Sequence, residues 1–170
     1  MKTEPGRYRD FTDSDKWENV VSGGQTTDIV DATPDEVWDG LLKDRNAVLV
    51  DCRTEHEWEN IGLPDLSTLG KQVVTTEWRQ GPAMQINPDF ESQLQAAIGE
   101  RQPDRIYFLC RSGQRSLEAA ATFQASLSGR GVVCACINVA EGFEGIPDED
   151  GMRGRINGWQ ARGLPWLKGQ

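Results

Sequence analysis

One cysteine of this chain stands where an apolar segment meets a loop with two arginines. Cys110 follows the apolar run 106–109, and from Cys110 the chain reads Cys-Arg-Ser-Gly-Gln-Arg-Ser before a helix with one apolar face. We expect the thiol to lie at the positive end of that helix, close to backbone N–H groups and to the guanidinium groups of Arg111 and Arg115. Because each of these features favours a thiolate, Cys110 is a candidate nucleophile.

The same loop is suited to anion binding. Backbone N–H groups at a helix N-terminus and arginine side chains both bind anions, and a glycine allows a ligand close to the backbone. The residues predicted to bind the substrate are Arg111, Ser112, Gly113, Gln114, Arg115 and Ser116. The alternative is a buried cysteine that merely ends a core strand. We prefer the catalytic interpretation, since a structural loop has no evident need for two arginines around a glycine.

A second polar group follows another apolar run. Asp51 and Arg53 flank Cys52 at the end of the segment that starts at Ala47. The carboxyl ends of parallel strands meet at one edge of a sheet, so these side chains should lie near Cys110. We expect Asp51 and Arg53 to brace the active loop rather than to react themselves.

The remaining cysteines and the single histidine are weaker candidates. Cys134 and Cys136 lie two apart on a predicted strand, so they share a face and could hold a metal or act as resolving thiols for Cys110. No other ligand cluster completes a metal site, so we expect these two and Cys52 to pack in the core, with no metal and no cofactor. His56 lies among glutamates and is predicted to be solvated.

Strand and helix patterns alternate along the rest of the chain, which predicts an α/β fold with a mostly parallel sheet covered by helices on both faces. The predicted strands are 28–31, 47–52, 72–75, 105–110 and 132–139. Capping boxes at Thr33-x-x-Glu36 and Thr54-x-x-Glu57 predict the starts of a helix over 34–43 and of a short helix through Glu59. Further helices are predicted from 88 to 98, after Ser116 with an apolar face from Leu117 to Leu127 and an end near Gly129 to Gly131, and around Trp159.

Length, net charge and the distribution of apolar residues limit the classes of function that the chain can have. The chain has 170 residues, enough for one domain over 27–170 preceded by an N-terminal extension, 1–26. A net charge of -9 argues against a nucleic-acid or anionic-membrane surface. The sequence contains no apolar run long enough for a membrane span and no apolar signal-peptide core near its start, so a cytoplasmic location is expected.

Three ordered motifs make the chain resemble the rhodanese family of sulfurtransferases over about residues 28–168. They are Val50-Asp51-Cys52-Arg53 followed by Glu55-x-x-Trp58, the loop from Cys110 to Ser116, and Gly163-Leu164-Pro165 after Trp159. The resemblance implies a central parallel sheet of five strands flanked by helices. It also implies that Cys110 takes sulfane sulfur from a small anionic donor such as thiosulfate, forms a persulfide, and passes the sulfur to a thiol or thioredoxin-like acceptor.

Two other functions are compatible with this resemblance. Related cysteine phosphatases and arsenate reductases use a longer loop between cysteine and arginine, whereas here four residues separate Cys110 from Arg115. A catalytically idle module that binds a protein through the extension 1–26 is the second alternative, although it would have little reason to keep Cys110. Residues 146–157, which carry Arg153 and Arg155, form an insertion that either selects the donor or is a solvated loop.

Overall fold

The fold is organised around a parallel sheet. The computed structural model describes residues 28–170, so the predicted extension 1–26 lies outside the described residues. The sheet has five parallel strands: β1 (Val30–Ala32), β2 (Val48–Asp51), β4 (Val74–Thr75), β7 (Arg105–Leu109) and β8 (Ala135–Val139). Their order across the sheet is β1-β8-β7-β2-β4. The parallel α/β sheet predicted from the sequence is confirmed.

Four α-helices lie among the described residues: α1 (Pro34–Lys43), α2 (Glu55–Asn60), α3 (Phe90–Ile98) and α4 (Gln114–Gly129). Capping boxes start α1 and α2, because the Thr33 and Thr54 side chains accept the N–H groups of Glu36 and Glu57. Short antiparallel pairs join β3 (Gly62–Pro64) to β9 (Trp166–Lys168) and β5 (Arg79–Gln80) to β6 (Gln85–Ile86).

The sheet separates two apolar cores. Alternate residues of each strand point to opposite faces, as the period of a strand requires. Phe108 and Cys110 pack on one face with α3 and α4, while Tyr107 and Leu109 pack on the other with α1 and Trp159. Burial on both faces explains why β2, β7 and β8 read as nearly continuous apolar runs.

Two local predictions differ from the structure by more than a small shift of an element's ends. The apolar run from Val132 is longer than its strand, because Gly131 turns the chain and leaves Val133 72% exposed before β8 begins. The helix predicted around Trp159 is a hydrogen-bonded turn, bounded by glycines with positive φ at 158 and 163. No α-helix within 28–170 has both the length and the apolar character that a bilayer span requires.

Candidate active site

The Cys110 sulfur lies where β7 ends and α4 begins. Its Sγ atom accepts the backbone N–H of Gly113 and faces the Ser116 hydroxyl, each at 3.1 Å. The side chain is 1% exposed, although hydrogen-bond donors face it directly. A sulfur that meets an N–H group and a hydroxyl at the N-terminus of a 16-residue helix is in surroundings that stabilise negative charge.

Glycine is required at two positions where backbones meet around the loop. Gly113 has φ +103°, and a Cβ atom there would overlap the carbonyl oxygen of Ala140. Gly142 has φ +68°, and a Cβ atom there would lie 2.5 Å from the Arg111 carbonyl carbon. The segment that follows β8 therefore packs directly against the loop that follows β7, and this packing fixes the path of the loop.

Arg115 does not point freely into the loop. Its guanidinium group donates two hydrogen bonds to Glu57 on α2, at 2.7 and 2.9 Å. Burial raises the pKa of Glu57, but bonds from Arg115 and Thr54 outweigh burial and hold that pKa at about 2. Burial lowers the pKa of Arg115, and the bonded Glu57 carboxylate more than compensates and raises it. Glu57 thus ties the loop 110–116 to α2 and offsets the positive charge of Arg115.

Asp51 and Arg53 form a fully buried ion pair with an N–O distance of 2.6 Å. The same arginine nitrogen donates to the Gly62 carbonyl oxygen, and the guanidinium carbon lies 4.2 Å from the centre of the Phe143 ring. The Phe143 N–H in turn donates to the Cys110 carbonyl oxygen at 2.8 Å. Phe143 therefore links the buried ion pair to the backbone of Cys110.

The other predicted loop residues are more accessible. Arg111 and Gln114 are exposed and Ser112 is half-buried. The Arg111 carbonyl oxygen accepts the N–H groups of Glu144 and Gly145, immediately before the insertion 146–157. The insertion therefore begins beside the active loop, and within it Arg155 pairs with Asp148.

Sequence reasoning missed two contributors to this site. Glu57 was interpreted only as a capping residue, and its second role depends on a contact with Arg115 that lies 58 positions away in sequence. Asn138 was not singled out, yet its side-chain oxygen lies 2.6 Å from the Ser116 hydroxyl. The available signal was a polar residue inside the apolar strand β8.

The remaining cysteines are buried in the core that contains Cys110. A hydrogen bond with Cys134, together with burial, raises the pKa of the Cys136 thiol. Burial also raises the pKa of the Cys52 thiol, and the nearby Cys110 adds to this effect. Within residues 28–170, no cluster of three or more His, Cys, Asp or Glu side chains is arranged to hold a metal ion.

Comparisons with known proteins agree with this architecture. The family model of the Rhodanese-like domain matches residues 33–149. The chain is 35% identical over 126 residues to an uncharacterized protein of Rickettsia prowazekii, a match that covers 74% of this chain and 87% of that protein. The chain belongs to the rhodanese-like domain family.

Solved structures show the same fold. The crystal structure of Rv0390 from M. tuberculosis has a TM-score of 0.70 and 42% identity, and the match covers 82% of this chain and 97% of that one. The polysulfide-sulfur transferase homodimer of Wolinella succinogenes matches with a TM-score of 0.51 and 20% identity, over 82% of this chain and 79% of that one. At that identity the second match shows the fold alone.

Proposed function

We propose that this protein is a sulfurtransferase that carries sulfane sulfur on Cys110. The Cys110 thiolate attacks the outer sulfur of a donor such as thiosulfate, the sulfur–sulfur bond of the donor breaks, and sulfite leaves with the electron pair. The product is a Cys110 persulfide. A thiophilic acceptor then attacks the outer persulfide sulfur, and Cys110 leaves as the thiolate that began the cycle.

The observation that carries this proposal is the pair of contacts at the Cys110 sulfur. The Gly113 N–H and the Ser116 hydroxyl lie 3.1 Å from Sγ, where they stabilise the sulfur both as attacking thiolate and as leaving thiolate. Asp51 and Arg53 support the backbone of Cys110 through Phe143, whose ring contacts Arg53 and whose N–H group donates to the Cys110 carbonyl oxygen.

The two arginines of the loop have different roles, because Arg115 is bonded to a carboxylate of the site whereas Arg111 is exposed. Arg115 is bonded to the Glu57 carboxylate, so its main task is to hold the loop in place. Arg111 is exposed, so it attracts the anionic donor together with the positive end of α4. Ser112 and Gln114 complete the rim, and the backbone N–H groups of the loop receive the outer sulfur.

The acceptor is a thiol, or a thioredoxin-like protein that presents one.

The small loop favours a sulfur atom over a phosphoryl group as the group transferred, because only four residues separate Cys110 from Arg115. All four cysteines are free, which fits a reducing compartment such as the cytoplasm.

Thiocyanate production from thiosulfate and cyanide tests the proposal. We expect turnover by the wild type, loss of at least about 1000-fold in Cys110→Ser, and near-normal turnover in Cys134→Ser, which makes the same chemical change away from the loop. Equal turnover in Cys110→Ser and the wild type would contradict the proposal. Hydrolysis of a phosphate ester that depends on Cys110, without thiocyanate production, would replace it with the phosphatase alternative.

A further inference from the structure

A buried polar chain leads from the surface of β1 to the reactive sulfur. Asn138 of β8 is 3% exposed and lies beside Phe108 in the sheet register. Its Nδ2 atom donates to the Asp31 carboxylate at 2.8 Å and to the Gly113 carbonyl oxygen at 3.2 Å. These two acceptors fix the orientation of the amide, so its Oδ1 atom faces the Ser116 hydroxyl at 2.6 Å.

The Ser116 hydroxyl has one proton and two neighbours that can accept it. One neighbour is Asn138 Oδ1 at 2.6 Å, and the other is Cys110 Sγ at 3.1 Å. The Asn138 atom that faces Ser116 is the oxygen Oδ1, which can only accept a hydrogen bond. The amide cannot turn to present Nδ2 instead, because it would lose the hydrogen bonds to Asp31 and Gly113. The two acceptors therefore compete for the same proton.

We propose that Asn138, held by Asp31, is a positioning residue that makes the Ser116 hydroxyl switch between two hydrogen bonds as the charge on Cys110 changes. When Cys110 is a thiolate, the hydroxyl donates to Sγ. When Sγ is bonded to the outer sulfur and has lost its charge, the hydroxyl rotates and donates to Asn138. Only this rotation occurs, with no proton leaving Ser116, so the step needs no further reactant.

The switch matters in both halves of the cycle. During attack on the donor, Asn138 accepts the hydroxyl bond that the thiolate releases. During transfer to the acceptor, the hydroxyl returns to Sγ and stabilises the leaving thiolate. Without Asn138 the hydroxyl stays on the thiolate, which becomes easier to form but less nucleophilic.

Removal of Asn138 and removal of the Ser116 hydroxyl should shift the pH midpoint of Cys110 alkylation in opposite directions. In Asn138→Leu, the hydroxyl serves Sγ alone, so the pH midpoint of Cys110 alkylation by iodoacetamide falls by about half a unit. In Ser116→Ala, the midpoint rises by about as much. Cys52 and Arg115 interact electrostatically with Cys110, and Asp31 faces Asn138; all three are unchanged in these two variants.

The double variant is the decisive measurement. If Asn138 acts through Ser116, the combination of Asn138→Leu with Ser116→Ala gives the midpoint of Ser116→Ala alone. Shifts of the two single variants in the same direction, or a double variant that still responds to Asn138→Leu, would overturn the inference. The inference rests on the proposed function for its meaning in catalysis, but alkylation requires no sulfur transfer, so the two can fail separately.

A surface substitution keeps the test available if Asn138→Leu does not fold. Asp31 is exposed, and Asp31→Ala removes one of the two acceptors that orient the Asn138 amide. We expect this variant to lower the alkylation midpoint in the same direction and by a smaller amount. The matched control is Asp39→Ala, an exposed acid on α1, and an equal response of the two variants would overturn the inference.

Discussion

Cys110 and Cys136 are both buried cysteines of one core, yet their surroundings differ. Cys110 directly follows the last residue of β7, and Cys136 lies inside the neighbouring strand β8. An N–H group and a hydroxyl face the Cys110 sulfur, whereas a hydrogen bond with Cys134 and burial raise the pKa of Cys136. Burial alone therefore does not distinguish the two cysteines, whereas the donors that face the Cys110 sulfur do.

The position in the sheet explains this difference. At the carboxyl edge a strand ends and a helix begins, so unpaired N–H groups of α4 are available to a ligand. At the amino edge of the sheet, two arginines donate hydrogen bonds to the C-terminal ends of helices. Arg101 donates to the carbonyl oxygens of Ala97 and Ile98, and Arg130 donates to that of Ser126. These arginines cap helix C-termini and stabilise the fold.

Among substitutions outside the nucleophile itself, the largest predicted effect distinguishes Gly113, in the loop after Cys110, from Gly131, which precedes β8. Gly113→Ala should lower thiocyanate production by at least about 100-fold, because its Cβ atom would overlap the Ala140 carbonyl oxygen and displace the loop around Cys110. Gly131→Ala, also at positive φ but with open space around its Cβ atom, should keep its activity. Parallel rate assays of the two variants check this, and similar losses would contradict it.

The second prediction concerns the ion pair between Glu57 and Arg115, which lies beside Cys110 and not beside Cys136. Glu57→Gln should lower kcat/KM for thiosulfate about tenfold, since a neutral amide holds Arg115 less firmly. The Glu57 pKa of about 2 lies below its ordinary 4.5, so the carboxylate stabilises the fold above pH 4.5 and this contribution is lost as the pH falls towards 2.

Unfolding by urea at several pH values measures that contribution. The difference in free energy of unfolding between the wild type and Glu57→Gln should shrink between pH 4.5 and 2. Glu59→Gln, an exposed acid on the same helix, serves as the matched control. A difference that stays constant over this range would show that the Arg115 contact does not stabilise the folded state.

The smallest predicted effect concerns Cys136 itself. Cys136→Ala should leave thiocyanate production unchanged and cost about 1 kcal/mol of stability, the range for removing a small buried side chain. In the native wild type, iodoacetamide should modify Cys110 well before Cys136, because the hydrogen bond with Cys134, together with burial, favours the protonated Cys136 thiol. Peptide mapping during alkylation gives the order of modification, and faster modification of Cys136 would show that Cys110 is not the more reactive cysteine.

Local patterns predicted most elements of this fold. The capping boxes at Thr33 and Thr54 located the starts of α1 and α2, and the predicted bounds of α1 are confirmed. Apolar periodicity cannot show where a strand stops pairing, so the prediction for β8 began too early, at Val132.

The site was harder to predict because its contacts join distant parts of the chain. The motif from Cys110 to Ser116 identified the candidate loop, and its placement at a strand end followed from the parallel α/β pattern. Neither motif nor period could show that Arg115 meets Glu57, or that Ser116 meets Asn138. Such pairings depend on how α2, α4 and β8 pack together.

The proposed function requires that Cys110 alone carries the transferred sulfur. The intact mass of the protein after thiosulfate, before and after cyanide, followed by mapping of the modified residue, tests this requirement. We expect a gain of one sulfur atom on Cys110 that cyanide removes and that Cys110→Ser does not acquire. An unchanged mass, or a sulfur bound to Cys52, Cys134 or Cys136, would contradict it.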